Sequence, residues 1–297
     1  MSQRNASNLL NRLATGKSLI SDGATGTYLQ QHGLKPWQCS EEFNLTNGDV
    51  VAGMAKAYFD AGAEMTMTNT FGGNRYNLSN YDLGDRVLEF NLEAARLAKS
   101  QASSGQYVIG SVGPLGEFSR PFGRIHQDEM RDAYIEQVKA LAEGGVDGVL
   151  FETLRVLDEA VIAIKAAKAN TDLVVMASMV FDKGSDGFVT IMGVHPEKAM
   201  AALQEAGADV VGANCGNGID DMVELARELK RVTSGYTLIN SNAGIPSILD
   251  AEIVYPESPE FMANGFAALA KIGINVIGGC CGTGPEHIRA LTKAING

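Results

Sequence analysis

Two cysteines stand side by side in Ile277-Gly278-Gly279-Cys280-Cys281-Gly282-Thr283-Gly284-Pro285, a glycine-rich loop between a short apolar run and a helix-like segment at 285–295. Adjacent cysteines seldom bond to each other, because a disulfide needs a Cβ separation and direction that neighbouring residues rarely provide. They can grip one metal ion together. A third thiol, Cys215 in Asn214-Cys215-Gly216, again closes an apolar run, 210–213. Three sulfurs with a fourth position open describe a catalytic Zn2+ site, since structural zinc is closed by four protein ligands. Any one of the three alone would read as a small buried hydrophobe; their shared place on matching strand ends favours the metal.

A site drawn from such distant positions needs a scaffold that gathers strand ends. Periodicity gives eight β-like runs, at 18–24, 64–71, 107–112, 148–153, 173–181, 209–215, 236–243 and 275–281. Between and after them lie helix candidates at 49–61, 85–100, 128–143, 154–169, 196–206, 219–232, 259–272 and 285–295. Several of these end in glycine before the next strand, as at Gly62, Gly145, Gly207 and Gly273. Eight such units predict an α/β fold of one (β/α)8 TIM barrel, a single domain over 1–297 with its core at about 7–295. A doubly wound open sheet is the alternative, and it would seldom use eight units this regular. In a barrel of this kind the active site forms at the C-terminal ends of the strands. Those ends carry Asp22, Asn69, Thr70, Gly113, Glu152, Ser178, Cys215, Asn242, Cys280 and Cys281. An isolated carboxylate there would be a loop cap or an ion-pair member; Asp22 and Glu152 share the rim with the cysteines, which points to function.

The loop Asp22-Gly23-Ala24-Thr25-Gly26-Thr27 lacks the glycine and lysine spacing of a phosphate cradle. Its small residues suit close approach to a compact ligand, with N–H groups free for a carboxylate. The loops 69–74 and 110–114 have the same small polar character. His32, His126, His195 and His287 are not spaced as metal pairs and read as surface or capping residues, and Gly-x-Ser-x-Gly is absent. Met54, Met65, Met67, Met176, Met179, Met192 and Met200 read as core filler. A formal charge of −11 with no basic cluster excludes a nucleic-acid partner. No apolar stretch approaches the roughly 20 residues that span a bilayer, so no membrane role is expected. Four cysteines, two of them adjacent, do not form a disulfide framework, and residues 1–17 lack the apolar core of a signal peptide. A reducing cytoplasm is the expected location.

With Asp22-Gly23-Ala24-Thr25-Gly26-Thr27, Asn69-Thr70-Phe71-Gly72, Phe151-Glu152-Thr153, Asn214-Cys215-Gly216, Asn242-Ala243-Gly244 and Gly278-Gly279-Cys280-Cys281-Gly282-Thr283 in place, the chain resembles the homocysteine S-methyltransferase family. Within it, the likeness is strongest to the homocysteine-binding module of cobalamin-dependent methionine synthases. The resemblance spans about 7–295 and implies one zinc held by Cys215, Cys280 and Cys281, the fourth site taking the sulfur of homocysteine. It further implies that Asp22 and Glu152 hold the substrate's amino group, while backbone N–H groups near Gly23 and the loop of Asn69 and Thr70 meet its carboxylate. Asn242 matches the position that can complete the zinc shell without substrate. The stretch 69–75 looks like the corrinoid-dependent branch, so methylcobalamin on a separate carrier protein is the expected methyl donor; a betaine or S-methylmethionine is the alternative. A non-catalytic zinc- or thiol-binding subunit is the alternative of another class. Two departures from the family's pattern, Asn240-Ser241 before Asn242 and Ser178-Met179-Val180-Phe181, lie near the mouth and bear on the choice of donor.

Overall fold

The computed structural model describes residues 2–117, 120, 123–249 and 252–297. Eight parallel strands, Leu19–Ile20, Met65–Met67, Tyr107–Val112, Gly148–Leu154, Val174–Met179, Val210–Asn214, Tyr236–Ser241 and Val276–Gly279, are paired in sequence order from the second to the eighth. The eighth returns to the first through Leu19–Val276 and Ile20–Ile277. A single parallel bridge, Ser21 to Met65, and the bond from Glu64 N to Ile20 O (2.8 Å) close the seam between the first and second. The result is the expected (β/α)8 barrel.

Alternation along each strand sorts its side chains into two cores. Leu19, Met65, Met67, Ile109, Leu150, Val174, Met176, Val210, Leu238 and Val276 fill the inside of the barrel. Their neighbours, among them Val108, Phe151, Val175, Val211, Ile239 and Ile277, pack outward on the helices. Both faces being buried, the strands read as continuous apolar runs, as parallel sheets do. Six of the methionines expected in the core are buried there; Met192 is instead exposed, in the loop before helix Pro196–Glu205.

The eight outer helices fall within three residues of expectation, and Ile219–Val232 and Pro259–Ile272 match it at both ends. Strand limits moved more: the first shrinks to two residues and the second to three, because pairing ends where the loops turn into the mouth. Periodicity did not show the helix Ser2–Leu13, which sends Leu9 and Leu13 into the lower end of the barrel core. Nor did it show the helices Thr25–Gln31, Phe43–Thr46 and Arg75–Ser79, or the hairpins 182–189 and 247–254, which are too short to display a period. None of the described helices is long and apolar enough to cross a membrane.

Leu13 closes the bottom of the barrel, so Leu13→Ala should leave a cavity there. Urea unfolding is expected to show a loss of about 2–4 kcal/mol with an unchanged m-value.

Candidate active site

Cys215 directly follows the sixth strand and adopts φ 62°, while Cys280 and Cys281 directly follow the eighth. The seventh strand lies between them and fixes their backbones. Cys215 N donates to Asn240 O (3.1 Å), Cys280 N to Ser241 O (2.7 Å), and Ala243 N to Cys281 O (2.9 Å). The three sulfurs come within 4.8 Å of one another, the one such cluster of metal-ligating side chains among the described residues. Cys215 Sγ and Cys281 Sγ are 4.0 Å apart. Without a metal the thiols share protons. Contact with Cys280 and Cys281 holds Cys215 well below the usual thiol range, and contact with Cys215 pushes the other two up.

Whether this group suits a zinc ion can be judged from its neighbours. Asn242, on the loop above the seventh strand, lies beside Cys215 and helps to lower it, while its Oδ1 is buried without a partner. A buried acceptor left unpaired beside three thiols is costly unless something completes it. Three soft donors and one spare oxygen match the zinc preference for a four-coordinate shell. Cys39, the fourth cysteine, is buried elsewhere, 3.4 Å from Glu41 Oε2.

The sulfurs face a cavity of about 280 Å³ whose walls include Gly23, Met67, Asn69, Ser111, Glu152 and the three cysteines. Gly23 admits no side chain: a Cβ there would stand 2.8 Å from Thr283 Oγ1 and 3.0 Å from the ring of Tyr58. Asp22 lies in the wall behind it, with Oδ2 accepting from Met67 N (2.6 Å) and Oδ1 from Ser21 Oγ (3.2 Å). Burial pushes the Asp22 carboxyl up to about 7, against the pull of the Met67 N–H, and the charge of Glu152 adds to the rise. Glu152 is likewise pushed up to about 7 by burial, with Ser111 Oγ donating to it in opposition. Glu152 thus faces the cavity while Asp22 stands buried behind its wall, and desolvation holds both carboxyls above the ordinary range.

The remaining residues singled out in the sequence are placed differently. Asn69 reaches the cavity, but its amide N–H group bonds Ser40 O (2.6 Å) and Asn44 Oδ1 (2.9 Å), tying the 40–44 segment to the second strand. Thr70 turns away from the cavity and donates to Ser111 O (2.7 Å). His287 is a capping residue, as one of its two expected roles had it, and is buried in that role: its Nδ1 accepts from Gly284 N (3.1 Å), and Nε2 meets Glu257 O (3.1 Å). Three residues had no assigned role in the sequence reading. Ser111 sat in a loop noted only for small polar character. Glu41 is buried and accepts from Gly72 N (2.7 Å), holding the loop after the second strand. Tyr255, just after the strand Glu252–Val254, lies against Gly282, where its ring leaves no room for a Cβ, and beside Cys281. Burial, and then the Cys281 charge, raise its phenol. No period or motif in the sequence signals that placement.

The profile of the family described as Homocysteine S-methyltransferase matches residues 19–295. The chain belongs to the homocysteine S-methyltransferase family. Methionine synthase of Mycobacterium leprae is 32% identical over 305 residues, covering 97% of this chain and 25% of that protein. Methionine synthase of Mycobacterium tuberculosis is 33% identical, covering 93% and 24%. This member of the family thus spans about a quarter of the length of those relatives. Among solved structures, the metallated form of the homocysteine methyltransferase MmuM from Escherichia coli shares the fold with a TM-score of 0.77 at 20% identity, covering 93% of this chain and 96% of that one. A methyltransferase from Methanosarcina mazei does so with a TM-score of 0.64 at 13% identity, covering 98% of each.

The raised Asp22 carboxyl makes a signed prediction for the metal-free protein. The fold favours its protonated form, so its contribution to stability is intact below about pH 4 and is lost as pH rises toward 7. Asp22→Asn should match the parent near pH 4 and exceed it by on the order of 1–3 kcal/mol above pH 7, read by urea unfolding across pH.

Proposed function

We propose that this chain is a zinc-dependent methyltransferase that takes homocysteine as a thiolate and methylates it to methionine, with methylcobalamin on a separate corrinoid protein as the methyl donor. The observation that carries the reading is the convergence of Cys215, Cys280 and Cys281 within 4.8 Å at the wall of a cavity that also presents Glu152. Zn2+ held by these three sulfurs would supply the Lewis acidity that keeps a thiol deprotonated at neutral pH. The unpaired Oδ1 of Asn242 is the oxygen available to complete that shell when no thiol is present.

The chain's own groups then orient the substrate. Asp22 and Glu152 hold the ammonium; a cation beside them offsets the burial that raises both carboxyls and restores their charged forms. Backbone N–H groups at Gly23 and in the loop after the second strand meet the carboxylate. In that loop Thr70 N, Gly72 N and Gly73 N are already bonded to Thr68 O, Glu41 and Thr70 O, which leaves Asn69 and Phe71 as donors. In the transfer the thiol gives up its proton, an S–C bond forms, and the donor's bond to the methyl carbon breaks with its electron pair. The product is a neutral thioether, a weaker ligand than a thiolate, which favours its release.

The likeness to methionine synthases supports methionine as the product, and the likeness of residues 69–75 to the corrinoid-dependent branch of the family supports a corrinoid donor. So does a mouth rimmed by exposed Phe71, Ile191, Met192, Ile245 and Ile248. Three thiols that must remain reduced fit the cytoplasm, and one barrel core is consistent with a single domain.

Zinc-loaded protein given homocysteine should form methionine with methylcobalamin, and not with betaine or S-methylmethionine, in parallel assays. Methionine from a small donor alone would overturn the corrinoid assignment. Cys281→Ala should lose bound zinc and activity together. Glu152→Gln should raise KM for homocysteine at least tenfold, about 1.4 kcal/mol, with a smaller change in kcat.

A further inference from the structure

Asn214, the last residue of the sixth strand, is fully buried and uses its amide in two directions. Oδ1 accepts from Thr153 N (2.8 Å) and Ser178 Oγ (2.7 Å). Nδ2 donates to Thr153 Oγ1 (2.9 Å) and also lies 3.5 Å from Glu152 Oε2 and 3.6 Å from Cys280 Sγ. A primary amide has two N–H donors. One is spent on Thr153. The other faces the gap between a carboxylate and a sulfur.

Both halves of the amide bear on the site. Thr153, directly after Glu152, has φ 60°, a left-handed conformation that is strained for a β-branched residue. Asn214 clasps it through both its N–H and its hydroxyl, and so fixes the backbone from which Glu152 projects. On the other side, a carboxylate and a thiolate brought this close repel each other, and a neutral donor shared between them favours both charged forms. Ser178 in turn locks the amide so that its nitrogen points into the gap.

We infer that Asn214 is a positioning residue that couples the two ends of the substrate site. Its second N–H is shared between Glu152 and Cys280, so that it sets both the affinity for the metal and the preference for a thiol that carries an ammonium group. The inference rests on the zinc and homocysteine reading above. It adds that one uncharged side chain links the group that binds nitrogen to the group that binds sulfur.

Two variants test it. Asn214→Asp keeps the shape and the acceptor for Thr153 and Ser178 but turns the donor into an acceptor, whereas Asn214→Ala removes both. Chelator competition should show zinc affinity lowered at least tenfold in each. In the cobalt-substituted proteins the sulfur-to-cobalt charge-transfer band should move to longer wavelength, because a thiolate that loses an N–H donor holds its electrons less tightly. In Asn214→Ala the preference for homocysteine over 4-sulfanylbutanoate, which has the same thiol and carboxylate without the ammonium, should shrink about tenfold. Zinc affinity, band position and preference all at the parent's values would overturn the inference. So would weaker zinc binding with the band and the preference unmoved, since that is what a purely structural residue gives. Should the alanine variant fail to fold, zinc affinity and band position in Asn214→Asp decide. A parent protein that takes up no zinc at all refutes the underlying reading, and this inference with it; a parent that binds zinc and homocysteine while the variants match it refutes this inference alone.

Discussion

The seventh strand is the beam on which the site rests. Its carbonyls at Asn240 and Ser241 accept the N–H groups of Cys215 and Cys280, and the N–H of Ala243 returns a bond to Cys281. Asn214 pairs in register with Asn240, and Gly279 with Ser241. The distance between sulfurs that lie 66 residues apart is therefore set by ladder pairing on both sides of one strand. A slip of one residue would move a thiol by about 3.3 Å and turn it to the other face of the sheet. Barrel closure makes that slip impossible without repacking every layer inside, so the metal-binding geometry is as rigid as the core beneath it.

That rigidity has an electrostatic cost at the rim. Two buried carboxyls and three clustered thiols sit where their charged forms are poorly solvated; beyond burial, the charge of Glu152 raises Asp22 and that of Cys215 raises Glu152. A cation in the cavity relieves the carboxyls, and a metal relieves the thiols. On the proposed reading, a ligand that neutralises these groups would bind the more tightly for that unfavourable burial. The left-handed Thr153 and Cys215 belong to the same pattern, since strain of this kind persists only where the surroundings over-determine it.

Around this rigid centre the loops divide by purpose. The connection after the second strand is braced from below by Glu41 and by the amides of Asn69, Asn91 and Gln137, which hold the backbone of residues 70–73 still. On the opposite side the paired strands Ser247–Leu249 and Glu252–Val254 carry exposed Ile248, Leu249 and Ile253, and the chain after them brings Tyr255 over Gly282. In the proposed reading the braced side is the one that would meet the small substrate, and the apolar side the one that would meet a larger donor.

Sequence alone determined the fold class, because eight alternations of apolar run and amphipathic helix leave few architectures, and it singled out the three cysteines that the fold brings within 4.8 Å, because a thiol at the end of an apolar strand has a type and a position that both show in one dimension. It also brought Asp22 and Glu152 to the right end of the barrel. Only the tertiary structure decided that Asn69 is committed to Ser40 and Asn44, that Thr70 faces away, and that Asn214 reaches both Glu152 and Cys280. The physical reason is that a side chain's hydrogen-bond partners depend on register and on which way the amide is turned, and neither leaves a period in the sequence. Tyr255 shows the same limit: its place over Gly282 is fixed by a short hairpin whose return no pattern announces, although the glycine that makes room for it was legible from the start.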